Sequence, residues 1–121
     1  MLLISSYAAA QPFVTKDGSL IRELMHPTRH GSRAQSLAEA TVPVGAETVL
    51  HRHRTSEELY HITRGAGSMT LGADTFHLRP GDTVCIPPGT PHRIRSVGPE
   101  PLVILCACCP AYSDDDTELL A

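Results

Sequence analysis

Two histidines separated by a single residue, His51 and His53, are where the chemistry of this 121-residue chain begins. On a strand, residues two apart point to the same face, so this pair can converge on one metal ion. On a helix the useful spacing would be three or four. Carboxylates follow at once at Glu57 and Glu58, and another imidazole, His92, comes after the PPGTP turn on a later strand-like run. A closed barrel would bring that run back beside the first. Three neutral imidazoles and a carboxylate suit Fe, Mn, Ni, Co, Cu or Zn, and leave up to two positions for substrate or oxygen.

The elements that must hold these groups are short and extended. From about Ser36 the chain alternates apolar runs with Gly/Pro punctuation, predicting strands near 36–43, 48–54, 58–64, 67–72, 75–79, 83–87, 92–97 and 102–109. Strands of that length, with turn signals every eight to twelve residues, mark an all-β sandwich or barrel. LGADT between two such runs predicts a tight hairpin. Gly65, Gly67, Gly81 and Gly89 read as turn residues with unusual backbone angles, and Pro87-Pro88 as a stiff approach to His92. Upstream, 18–25 reads as a strand, because its apolar residues form no clean helical stripe, and 26–33 as loop. The acidic end, 113–121, offers Ser113 as cap of a short final turn with Asp116 three residues on. Its remainder reads as a solvated, mobile end. The expected organisation is an N-terminal strand and loop extension over 1–35, a barrel over 36–110 and an acidic tail over 111–121.

Composition narrows the partners. The chain is 41% hydrophobic and 19% charged with a formal charge of -3, the profile of one globular domain. Lys16 is the only lysine and the arginines are spread, so no basic cluster exists for nucleic acid or an anionic membrane. The longest apolar run, Leu102 to Cys109, is far shorter than a membrane span. The N-terminus imitates a signal peptide at Ala8-Ala9-Ala10 but lacks a positively charged start. Three of four cysteines crowd into CACC at 106–109, which fits a reducing compartment, and a cytoplasmic protein is expected.

The two histidine segments resemble a known family. GAETVLHRHRTSEELYHITRG (45–65) is similar to the first cupin motif, and GDTVCIPPGTPHRIRS (81–96) to the second, with Ser96 where the family often has Asn. The chain resembles small single-domain cupins of the conserved-barrel, mannose-6-phosphate-isomerase-like type. That resemblance implies a double-stranded β-helix, the cupin or jelly-roll barrel, often a homodimer sharing N-terminal strands. It implies one divalent transition metal held by His51, His53, Glu58 and His92, with Fe or Mn favoured over Ni, Zn, Co and Cu. Family spacing selects Glu58 over Glu57, which strand parity turns to the opposite side. His26, His30, His61 and His77 match no ligand position and read as surface or hydrogen-bonded histidines.

Parity then sorts the neighbours. Tyr60 shares the face of Glu58 and is the candidate catalytic residue, orienting substrate or relaying a proton. Arg52, Arg54, Arg93 and Arg95 alternate with the histidines and point outward. Cys106 and Cys108 share a face, with core packing the expectation for both. The function expected from these residues is a metal-dependent enzyme acting on a small organic molecule that chelates the metal. O2-dependent, dioxygenase-like oxidation leads, followed by a non-redox Lewis-acid isomerase, epimerase or lyase, then a ligand-binding or sensory module.

Overall fold

The computed structural model describes residues 2–120. In chain order the strands are β1 (Phe13–Val14), β2 (Leu20–Met25), β3 (Ser36–Val42), β4 (His51–His53), β5 (Glu57–Arg64), β6 (Gly67–Leu71), β7 (Asp74–Leu78), β8 (Thr83–Ile86), β9 (His92–Ser96), β10 (Leu102–Cys109) and β11 (Thr117–Leu119). Among the described residues there is no α-helix; Tyr7–Ala9 forms one 3-10 turn. One sheet runs β1-β2-β3-β10-β5-β8 and the other β11-β4-β9-β6-β7. All pairings are antiparallel. This is the all-β architecture that the alternating pattern predicts, in the jelly-roll form that the resemblance implies.

The period of two separates an inward from an outward face, and the inward face runs from a dry floor to a polar mouth. Along β5, Glu58, Tyr60 and Ile62 are buried while Glu57 and Leu59 are exposed; along β10, Leu102, Ile104, Cys106 and Cys108 are buried. Ile62, Met69, Ile94, Leu102 and Ile104 are almost completely buried at the floor. Each contributes about 1.5–3 kcal/mol through burial of its apolar surface. The same strands continue past that floor into Glu58, Tyr60 and Cys108, so the core anchors the site-bearing residues on rigid backbone.

The β6–β7 hairpin forms as expected, with Leu71 opposite Asp74 and Gly72 at φ 58°. Gly65, Gly81 and Gly89 take positive φ, whereas Gly67 does not. Gly67 is instead a strand residue at a close contact, where a Cβ would lie 3.0 Å from Ile94 Cδ1. Gly65 combines both constraints: φ is +78°, and a Cβ would sit 2.5 Å from the Pro101 carbonyl oxygen. Gly65→Ala is therefore expected to destabilise the protein by about 3 kcal/mol in urea unfolding, since neither the backbone angle nor that carbonyl can yield cheaply.

The C-terminal end differs from its sequence expectation. Residues 117–119 are not a free, solvated tail: β11 pairs with β4, placing Thr117 opposite His53 and Leu119 opposite His51. The three aspartates gave the segment its solvated look, but the Asp116 carboxylate accepts hydrogen bonds from the backbone N–H groups of Thr55 and Ser56. Lys16 fastens the same segment by donating to the carbonyls of Asp114 and Thr117. The Ser113 cap forms, accepting from Asp116 N at 3.1 Å. At the other end, β2 pairs along β3 and widens the first sheet.

Candidate metal centre

His51 and His92 are direct cross-strand partners on β4 and β9, and His53 follows on the same face. Their ring centroids lie 4.2 Å (His51–His92), 5.2 Å (His51–His53) and 5.4 Å (His53–His92) apart. One nitrogen from each falls within 4.8 Å of the others, and all three residues are buried. Each Nδ1 has a fixed partner. His51 Nδ1 donates to the Val49 carbonyl at 2.7 Å, and His92 Nδ1 to the Thr90 carbonyl at 2.9 Å. His53 Nδ1 lies 3.0 Å from Thr117 Oγ1, whose own proton goes to the Ser113 carbonyl, so the ring is the donor. These bonds select the tautomer that leaves each Nε2 as a lone pair facing inward, the arrangement that metal-binding imidazoles require.

Glu58 faces this cluster from the opposite sheet. Its Oε1 is 3.1 Å from His53 Nε2 and 3.6 Å from His92 Nε2. Burial works against its charge, but the proton that His53 Nε2 takes up when no metal is bound, with the His92 ring beside it, holds its carboxyl well below the usual carboxylate range, at about 2. Burial likewise pushes His51 down, assisted by His92, while for His53 the Glu58 carboxylate overcomes burial and holds the ring above its ordinary value. His92 Nε2 is buried and has no hydrogen-bond partner among the described residues. A buried lone pair without a donor costs free energy unless something electrophilic meets it. The donor set therefore fits a divalent transition metal, as three imidazoles and one carboxylate do chemically. Glu57 is exposed on the outer face. Glu58→Gln is expected to weaken metal affinity at least tenfold in a competition titration while Glu57→Gln leaves it unchanged, because loss of even a supporting partner costs about 10- to 100-fold.

Residues 38–108 match the cupin domain family. The chain belongs to the cupin family. This cupin is 52% identical over 119 residues to an uncharacterised protein of Methanocaldococcus jannaschii, covering 98% of this chain and 95% of that protein. It is 32% identical over 85 residues to the polyketide synthase CurC of Streptomyces cyaneus, covering 70% of this chain and 55% of CurC. Against CurC, then, the cupin spans little more than half of the relative's length. The solved polyketide cyclase RemF of Streptomyces resistomycificus superposes with a TM-score of 0.83 at 18% identity, covering 100% of this chain and 87% of that one. That likeness is one of fold.

The cupin's donor cluster opens on a cavity of about 50 Å³. Tyr60 is in its wall, with its ring centroid 6.0 Å from that of His92. Burial, and then the Glu58 charge, push its phenol well up, so it holds its proton. Cys106 and Cys108 also line the cavity. For Cys108 this corrects the core-packing expectation: β5–β10 register puts it opposite Glu58, and its thiol donates to Glu58 Oε2 at 3.3 Å. Cys106 does both, packing into the core and reaching the wall. Cys85 and Cys109 are exposed, and all four cysteines are free.

Arg52 and Arg54 pair outward with Glu118, and Arg93 and Arg95 lie 3.8 Å from Glu47. His26 and His61 are hydrogen-bonded to Tyr112 and Thr83. Among the described residues no basic side chain other than histidine lines the cavity.

Sequence spacing missed Asp17. It sits in the turn between β1 and β2, far upstream of the histidines, and nothing in a turn-like TKDGS run announces a site residue. Its Oδ1 accepts from Thr15 Oγ1, Ser19 N and Ser19 Oγ at 2.7–2.9 Å. Its Oδ2 is left facing the cluster, 3.7 Å from His51 Nε2. No helix of the described residues is long and apolar enough to cross a membrane.

Proposed function

We propose that this cupin is a metal-dependent enzyme in which His51, His53, His92 and Glu58 hold one divalent transition metal and a small, oxygen-bearing molecule chelates it. The observation that carries the metal is the set of three tautomer-locked imidazoles, with His92 Nε2 buried and unpartnered. The chemistry the site supports best is non-redox proton transfer, of the isomerase, epimerase or lyase kind. Asp17 moves that reading ahead of the oxidation expected from the sequence, because a carboxylate with one oxygen clamped and the other free beside the donor cluster is built to take a proton.

A bound divalent cation would supply Lewis acidity, drawing charge onto chelated oxygens and acidifying the neighbouring C–H. Asp17 Oδ2 takes that proton while Thr15 and Ser19 hold its other oxygen in place. Tyr60, kept protonated, donates a hydrogen bond to the oxygen on which charge develops. Asp17 then returns the proton to the adjacent carbon. Cys108 ties down Glu58 Oε2 and so keeps Oε1 toward the imidazoles. A phosphosugar is a poor fit to the inner cavity, since no lysine or arginine lines it among the described residues and the four candidate arginines are turned outward against Glu47 and Glu118. An oxygen-rich carbon skeleton suits the site better, in keeping with the likeness to a polyketide cyclase.

The test uses zinc-loaded protein in D2O with dihydroxyacetone as a model α-hydroxyketone, followed by NMR. Metal-dependent exchange of the carbon-bound protons, at the same rate with and without O2, is expected. No exchange above background would overturn this reading. O2-dependent oxidation is the second reading, since three imidazoles and one carboxylate leave positions for both a chelating substrate and oxygen. Stoichiometric O2 consumption by iron- or manganese-loaded protein with a chelating substrate would support it. For the assembly, we propose a homodimer in the cytoplasm, checked by light scattering and by fractionation.

A further inference from the structure

We propose that Glu23 is a substrate-recognition residue: at the neck between the metal cavity and an outer groove, it hydrogen-bonds a hydroxyl carried by the substrate beyond its chelating end. This rests on the chelation reading above and adds the substrate class, a neutral chelator with a second hydroxyl.

Glu23 lies on β2 opposite Ala38 of β3. It is only 8% exposed, and its Oε1 is buried with no hydrogen-bond partner among the described residues. An orphaned carboxyl oxygen in the barrel wall is costly, and a ligand that completes it recovers that cost on binding. The neighbouring side chains are otherwise engaged. His26 donates to the Tyr112 carbonyl through Nε2 at 2.7 Å and accepts from Thr28 N through Nδ1 at 3.1 Å, so the neutral ring has no proton left for Glu23. Arg29 places its guanidinium over the Phe13 ring, 5.4 Å from the centroid.

Glu23 and Tyr112 line both the inner cavity and a shallow outer groove of about 240 Å³ walled by Phe13, Arg29 and Ser113. The inner cavity, at about 50 Å³, accommodates a chelating end and little more. Glu23 and Tyr112 stand between the two spaces, so a substrate that extends from the cavity toward the groove presents its next polar group to Glu23. A hydroxyl is the group that fits. Burial pushes the Glu23 carboxyl up while His26 and Arg29 oppose this, and a hydroxyl, being donor and acceptor at once, pairs with it in either protonation state. An ammonium group would meet the Arg29 charge at the groove.

The experiment uses the full chain loaded with Co(II), titrated with two hydroxypyranones and read by the visible absorption of the metal. Kojic acid and allomaltol share one chelating end; kojic acid has a hydroxymethyl group where allomaltol has a methyl. Kojic acid is expected to bind wild type about tenfold more tightly, the scale of one hydrogen bond to a buried polar or charged group. Glu23→Leu should abolish that preference and Glu23→Gln should retain most of it, each variant being checked for its fold by circular dichroism. Equal affinities in wild type overturn the proposal even if Glu23→Leu fails to fold, and so does a preference that survives Glu23→Leu. Cobalt uptake with no response to either chelator also overturns it. Failure to take up cobalt at all would instead overturn the metal reading beneath it.

Discussion

Replacing Asp17 by Asn is expected to leave metal content unchanged and to slow metal-dependent proton exchange by about a hundred- to ten-thousandfold, the usual worth of a positioned general base. The substitution is close to isosteric, and the Asn carbonyl oxygen still accepts from Thr15 and Ser19, whose three bonds hold the turn. What disappears is the free oxygen 3.7 Å from His51 Nε2. NMR exchange rates beside elemental analysis separate the two effects. Loss of metal together with activity would mean that Asp17 supports the ligands and does not carry the proton. Full activity in Asp17→Asn would remove it from the mechanism.

The second large effect concerns stability. Wild-type protein freed of metal should gain on the order of 4 kcal/mol when a divalent cation is supplied at about a thousand times its dissociation constant. For a domain of this size that raises Tm by on the order of 10 °C. The His51→Ala/His53→Ala variant should show no such rise, because removing both imidazoles leaves only His92 and Glu58 on opposite sheets. Thermal melts with and without zinc measure this. An equal rise in the variant would place the stabilising cation elsewhere on the surface.

The inward placement of the proposed ligand residues was legible because strand parity is a local rule. His-x-His on β4 and the buried-exposed alternation of Glu58 against Glu57 on β5 follow from a period of two, and so do the inward Tyr60 and the outward arginines. The β4 strand itself is shorter than expected, 51–53 against 48–54, because Thr48 meets Ile94 through its side chain as well as its backbone and interrupts the regular ladder. What sequence could not show depends on which strands become neighbours. Cys108 touches Glu58 only through the register of β10 on β5. Thr117 orients His53 only because the acidic end returns as β11. Asp17 and Glu23 enter from the N-terminal segment, outside both cupin motifs, so motif spacing carries no trace of them.

The most direct measurement is elemental analysis of untagged protein purified without chelators. About one equivalent of a divalent transition metal per chain is expected, as a single set of four donors with positions left for substrate should bind. Metal-free protein that takes up none on reconstitution with iron, manganese, cobalt, nickel, copper or zinc would contradict it.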